Sequence, residues 1–169
     1  MPKKHFIYFI IFLLFFAAFC GKGFSETGSL PVKLFQTGYC DIYYKDDDAL
    51  DGFLWRISGK RFDFSFEEDK VVARLTVDRL VYRVQSILDM FPEDFFIRIT
   101  LSSKYKKGLI AFYEYDSNSI TVYADKVTDG ILAHEMGHAI ISSYFDTPLP
   151  SKMQEILSQY VDKYLWEDY

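Results

Sequence analysis

Cysteine and histidine are both scarce in this chain of 169 residues, and each scarcity excludes something. The cysteines are Cys20 and Cys40. Cys20 directly follows an N-terminal apolar run that reads as an export segment, so the mature domain keeps one thiol and has no intramolecular disulfide, even in an oxidising compartment. Cys40 reads as an inert buried thiol, because no spare histidine stands ready to activate it. Basic charge is also short, with 19 Lys and Arg against 24 Asp and Glu. That balance and the absence of a basic stripe argue against nucleic acid as a partner. No internal repeat or low-complexity stretch divides the chain. Aromatic residues are plentiful, with 17 Phe and 13 Tyr, enough to build a core without crosslinks.

The N-terminus has the form of a cleaved signal peptide over residues 1–25. Lys3, Lys4 and His5 make a charged start, residues 6–19 are continuously apolar, and Gly23 and Ser25 form a small-x-small site. The apolar run falls short of the roughly 18–20 residues that a membrane-spanning helix needs. Lipidation at Cys20 is the lesser alternative, because bulky Phe19 precedes it where lipoprotein signals resemble one another in having a small residue. Cleavage leaves residues 26–169 as a single domain with 16 basic and 24 acidic residues, a net charge of −8. The expected setting is periplasmic or extracellular.

Along the mature chain, residues 32–44 have the Tyr, Phe and Ile content of a strand or hairpin arm. Asp46, Asp47, Asp48 and Asp51 read as a solvated turn whose spacing does not make a calcium loop. Residues 53–66 are ambiguous and partly strand-like. From 71 to 90, Val72, Leu75, Leu80, Val84, Ile87 and Leu88 recur near helical period, predicting a helix with one inward face that ends before Pro92. Residues 95–101 alternate as a strand. Residues 109–115 and 120–123 predict a hairpin around Asp116, Ser117, Asn118 and Ser119. Thr128 or Asp129 can cap a helix through Ser143 that is apolar on nearly every side, as a helix in the middle of a domain must be. A last helix follows Pro148 and Pro150. Ser151 and Gln154 have capping-box spacing, and Met153, Ile156, Leu157, Tyr160, Val161, Tyr164 and Leu165 repeat at helical period. The fold class is therefore α+β, with a small mixed sheet and an antiparallel hairpin packed on a buried helix.

That buried helix carries His134, Glu135, Met136, Gly137 and His138 in succession, and with His5 removed these are the only histidines. Residues four apart stack on one helix face about 5–6 Å apart, within reach of one metal ion. Three ionisable groups on an otherwise apolar helix need partners to offset desolvation, and an ion satisfies all three. Gly137, between the histidines, reads as a point of close approach by a neighbouring strand.

The run from the hairpin through the His-Glu-x-x-His helix to the helix carrying Glu155 resembles the core of the zincin metallopeptidases, in the gluzincin branch with peptidase MA-like domains. The similarity covers residues 95–165. It implies a minimal zincin-like domain in which His134, His138 and Glu155 bind one zinc ion and Glu135 activates water as a general base. Sixteen residues separate His138 from Glu155, slightly fewer than the commonest gluzincin interval. Asp129, Asp146, Glu167 and Asp168 are therefore substitutes for the third ligand. Gln159 stands where some members place an aspartate that orients a ligand histidine, and Asp162, one turn on, can take that part. In the metzincin branch a third histidine would fall at Tyr144, so that branch does not fit.

Together with the export segment, the resemblance implies an exported zinc-dependent peptidase, an endopeptidase, acting on a peptide or protein substrate, with contact to a membrane only through the signal segment or a lipid on Cys20. The strand 120–123 is the expected partner of an extended peptide. Tyr160 and Tyr164 are candidates, by location alone, for the oxyanion donor that the family supplies from Tyr or His. The alternative is a non-catalytic zincin-like module whose zinc serves structure or partner binding.

Overall fold

Strict alternation along residues 97–102 sets the orientation of the whole sheet. Ile97, Ile99 and Leu101 are buried while Arg98 and Thr100 face solvent, as a strand covered on one side requires. The computed structural model describes residues 32–102 and 108–167. The expected signal segment, Cys20 and Asp168 lie outside the described residues.

Five strands form one open mixed sheet in the order β1-β2-β3-β5-β4: β1 (Lys33–Gln36), β2 (Cys40–Tyr44), β3 (Ile97–Ser102), β4 (Ala111–Glu114) and β5 (Ser119–Tyr123). The outer pairs β1·β2 and β4·β5 are antiparallel, and the inner pairs β2·β3 and β3·β5 are parallel. The expected hairpins are present, and Asn118 takes the positive φ of 44° that the β4–β5 turn demands. One expectation needs correction. β5 lies between β3 and β4 with both edges paired, so it has no free backbone for a peptide. The edge strand beside it is β4.

Four helices are described: α1 (Asp47–Ser58), α2 (Glu67–Leu88), α3 (Asp129–Tyr144) and α4 (Ser151–Tyr164). The acidic group read as a turn is instead the start of α1. Asp46 caps the helix by accepting from the Ala49 N–H at 2.7 Å, and Asp47 and Asp48 fill the first turn. Carboxylates are favoured at that end by the exposed N–H groups and the helix dipole. Leu50, Phe53, Leu54 and Ile57 then bury one stripe, so the part of 53–66 read as strand-like is helical to Ser58.

The buried face of α2 is Ala73, Val77, Val81 and Val84, whereas Val72 and Leu75 are exposed. The helix begins at Glu67, and of two apolar stripes the smaller side chains turn inward, permitting close packing on α3. In α4, Ser158 and Val161 are buried while Met153, Ile156 and Tyr160 are exposed. The expected capping box at its start does not form, because Pro150 occupies the cap and the Gln154 side-chain amide donates to the Leu149 carbonyl at 2.8 Å.

α3 is the central helix of the core, as its composition requires. It packs against α1, α2, α4, β4 and β5, and Leu132, Ala133, Met136, Ala139, Ile140 and Ile141 are buried along it. Thr128 caps it by accepting from the Ile131 N–H at 3.3 Å.

Candidate metal centre

Along α3 the ionisable groups of the His-Glu-x-x-His run escape full burial, as do Ile131 and the C-terminal Ser142, Ser143 and Tyr144. His134, Glu135 and His138 are half-buried, and the two imidazole rings stand 5.0 Å apart, centroid to centroid. Across from them, α4 presents Glu155. Its Oε2 lies 3.7 Å from His134 Nε2 and 3.6 Å from His138 Nε2. Both gaps exceed the 2.7–3.2 Å of a direct N–H···O hydrogen bond. Ligands about 2.0–2.1 Å from a tetrahedral zinc lie roughly 3.3 Å from one another. The spacing therefore fits an ion held among the three groups better than it fits direct pairing.

His134, His138 and Glu155 are the metal-competent group found among the described residues. Asp129, Asp146 and Glu167 are not part of it. The surroundings orient each donor. Asp162 Oδ2 lies 2.9 Å from His134 Nδ1, so this nitrogen carries a proton and Nε2 is the one turned toward Glu155. Gln159 Nε2 donates to Glu155 Oε1 at 2.8 Å, leaving Oε2 for the histidines. Asp162 thus takes the position expected of it. Gln159 has a use that the sequence reading missed, although its place four residues after Glu155 on one helix face was the available sign.

Glu135 is not part of the metal-competent group. Its Oε2 accepts from the backbone N–H of Tyr113 on β4 at 2.8 Å, tying the central helix to the edge strand. Burial raises the Glu135 carboxyl above its ordinary pKa, while the Tyr113 N–H and nearby His134 draw it back. Burial, aided by the charge of His134, depresses the His138 imidazole, so its neutral, ligand-competent form is favoured.

Gly137 sits where α3 and α4 cross, and here the expectation of a neighbouring strand is corrected. A Cβ at Gly137 would meet Ser158 Oγ at 3.3 Å, Val161 Cγ2 at 3.5 Å and Ser158 Cα at 3.6 Å, all on α4. The glycine brings the ligand helix close, and Ser158, fully buried, is the small residue that faces it. Tyr160 and Tyr164 stack on each other with ring centroids 4.3 Å apart, and the Tyr164 hydroxyl accepts from Lys163 Nζ at 3.0 Å. Neither contact assigns an oxyanion donor. A cavity of about 440 Å³ opens beside His134 and Glu135, walled by Ile131, Leu165 and Trp166.

No family model, curated protein or solved structure matches the chain.

Proposed function

We propose that the domain is an exported zinc-dependent peptidase of gluzincin type, secreted or periplasmic, with His134, His138 and Glu155 as the zinc ligands. The observation that carries this reading is the approach of both Nε2 atoms to one carboxylate oxygen at 3.6–3.7 Å, too far for hydrogen bonds and suited to a shared cation. His134, His138 and Glu155 would hold the ion, and the chemistry it would supply there is Lewis acidity for activating water and polarising a carbonyl. Glu135 stands beside the ligand group and is not one of its members. Its buried carboxylate takes the proton of the attacking water and hands it to the leaving nitrogen as the C–N bond breaks.

The outer edge of β4 supports binding of an extended peptide, because no strand among the described residues pairs with it, although its Tyr113 N–H is taken by Glu135. The cavity walled by Ile131, Leu165 and Trp166 then receives a side chain flanking the scissile bond.

The test combines metal content with turnover. Residues 26–169 purified without chelator should hold about one zinc per chain and cleave peptides. Glu135→Gln should keep the zinc and lose at least about 100-fold in rate. Glu155→Ala should weaken zinc binding. Stoichiometric zinc with no cleavage of a broad peptide library would replace the peptidase reading with a non-catalytic zinc module, and absence of zinc would end both.

A further inference from the structure

A second cavity, of about 240 Å³, adjoins the one beside the metal centre, and the two share Leu165 and Trp166 as a wall. One side of it is a stripe of α2. Thr76, Arg79, Leu80 and Arg83 recur three and four residues apart and so share a helix face. The start of α3 borders both spaces, with Thr128 and Gly130 on the side of the metal centre and Asp129 on the other.

The two guanidiniums of this cavity differ in their commitments. Arg83 serves the fold: Nη2 donates to the Tyr164 carbonyl at 3.0 Å and Nε to the Leu165 carbonyl at 3.4 Å, satisfying the end of α4. Arg79, exposed on the same stripe, makes no hydrogen bond or ion pair among the described residues. Asp129, the acid on this wall, accepts from the Gly130 N–H at 2.7 Å. Arg79 is thus an exposed cation bordering a concavity on a chain whose net charge is −5. A planar guanidinium pairs bidentately with a carboxylate, and such charge-assisted bonds are the strong ones. The carboxylate of Asp129 nearby disfavours a doubly charged phosphate.

We propose that Arg79 anchors a carboxylate of the bound peptide, supplied by an acidic side chain or by a free C-terminus, while the scissile bond lies at the metal centre on the near side of Trp166. The placement of that bond rests on the peptidase reading, whereas carboxylate recognition is measurable without it. A chain acidic overall thereby gains selectivity for peptides carrying negative charge at one fixed distance from the cut, because the field around Arg79 is local and short-ranged.

Binding to the zinc-loaded Glu135→Gln protein tests this, read by fluorescence anisotropy with labelled peptides that carry Glu, Gln or Lys at successive positions. Each peptide is made with a free and with an amidated C-terminus. The expected result is about tenfold tighter binding for Glu over Gln at one position, or for free over amidated ends, and the two arms identify the source of the carboxylate. Adding Arg79→Ala should erase the preference and Arg79→Glu should turn it toward Lys, with zinc content and circular dichroism unchanged. Equal binding of the whole panel by the Arg79→Glu protein and its parent, or no dependence on charge in the parent, overturns the proposal. Cleavage of the same panel by the wild-type domain is a separate reading. Loss of cleavage with Arg79-dependent binding intact removes the peptidase assignment and leaves the carboxylate site standing.

Discussion

Asp162 shows how much one side chain outside the ligand group can decide. By holding the proton on His134 Nδ1 it fixes which nitrogen faces Glu155, and partners of this kind are worth 10–100-fold in metal affinity. Asp162→Ala should therefore weaken zinc binding by about 10–100-fold in competition with a chelating indicator while leaving the folded spectrum intact. Unchanged affinity would show that the hydrogen bond is incidental.

Cys40 gives a residue-scale test of the core. Burial pushes its thiol up from 9.0 to about 12, so the folded state resists formation of the thiolate. A raised pKa contributes stability that is complete below the unfolded value and is lost as pH rises through the folded one. Its share of the alkaline loss should thus fall between about pH 9 and about 12. In the 26–169 domain, whose one cysteine is Cys40, Tm should drop more steeply over that window than in the Cys40→Ala variant, and Cys40 should react with a thiol reagent only on unfolding. Parallel Tm curves, or rapid labelling of the native domain, would contradict this burial.

The α3–α4 crossing is the element on which the metal centre depends. Glu155 reaches the histidines because Gly137 lets α4 approach, with Ser158 as the contact. Gly137→Leu should force the helices apart, lowering stability by about 1–3 kcal/mol in denaturant titration and weakening zinc binding together with it. The buried Ser158 hydroxyl has no hydrogen-bond partner among the described residues, so Ser158→Ala should be neutral or stabilising by about 1 kcal/mol. It also removes the atom nearest a new Cβ, so Gly137→Ala should be tolerated better in the Ser158→Ala background, with coupling of about 0.5–1 kcal/mol in a double-mutant cycle. Strict additivity would indicate that the crossing relaxes elsewhere.

At the element scale the sequence was informative where the apolar pattern has one reading, one-faced in strands and all-round in the central helix. β3, the β4–β5 hairpin and α3 were readable from period and caps. α1 was not, because its acidic start looks the same as a solvated turn until a buried stripe follows it. In α2 and α4 the existence of the helix was legible while the inward face was not. Both carry a second apolar stripe, and only the neighbouring surfaces select between Val72 or Val77, and between Ile156 or Val161. The same limit hid the position of β5, since strand order depends on pairing partners that periodicity does not record.

For the whole molecule, metal and fold should be coupled, because two of the proposed ligands lie on the central helix and the third on α4. At a free zinc concentration 100-fold above Kd, binding to the native state alone adds about 2.7 kcal/mol. In a domain of this size that is a rise in Tm of roughly 5–10 °C. Chelation should reverse it in the wild-type domain and have no effect in His138→Ala. A chelator-insensitive Tm in zinc-loaded wild type would remove the link between the ion and the fold.

The sequence by itself determined that His134, Glu135 and His138 share a helix and stack on one face, because a helical turn follows from chain geometry alone. It equally determined that this helix is buried, because its apolar residues surround it. Tertiary structure decided what the histidines face. Glu155, Gln159 and Asp162 come from a different helix, and their approach depends on the Gly137–Ser158 crossing, a distance that no local pattern encodes. It also decided that β4, not β5, bounds the site, and that Arg79 borders a cavity next to the metal centre. Those relations arise from long-range packing between segments far apart in the chain, where the balance of buried volumes rather than any periodicity sets the outcome.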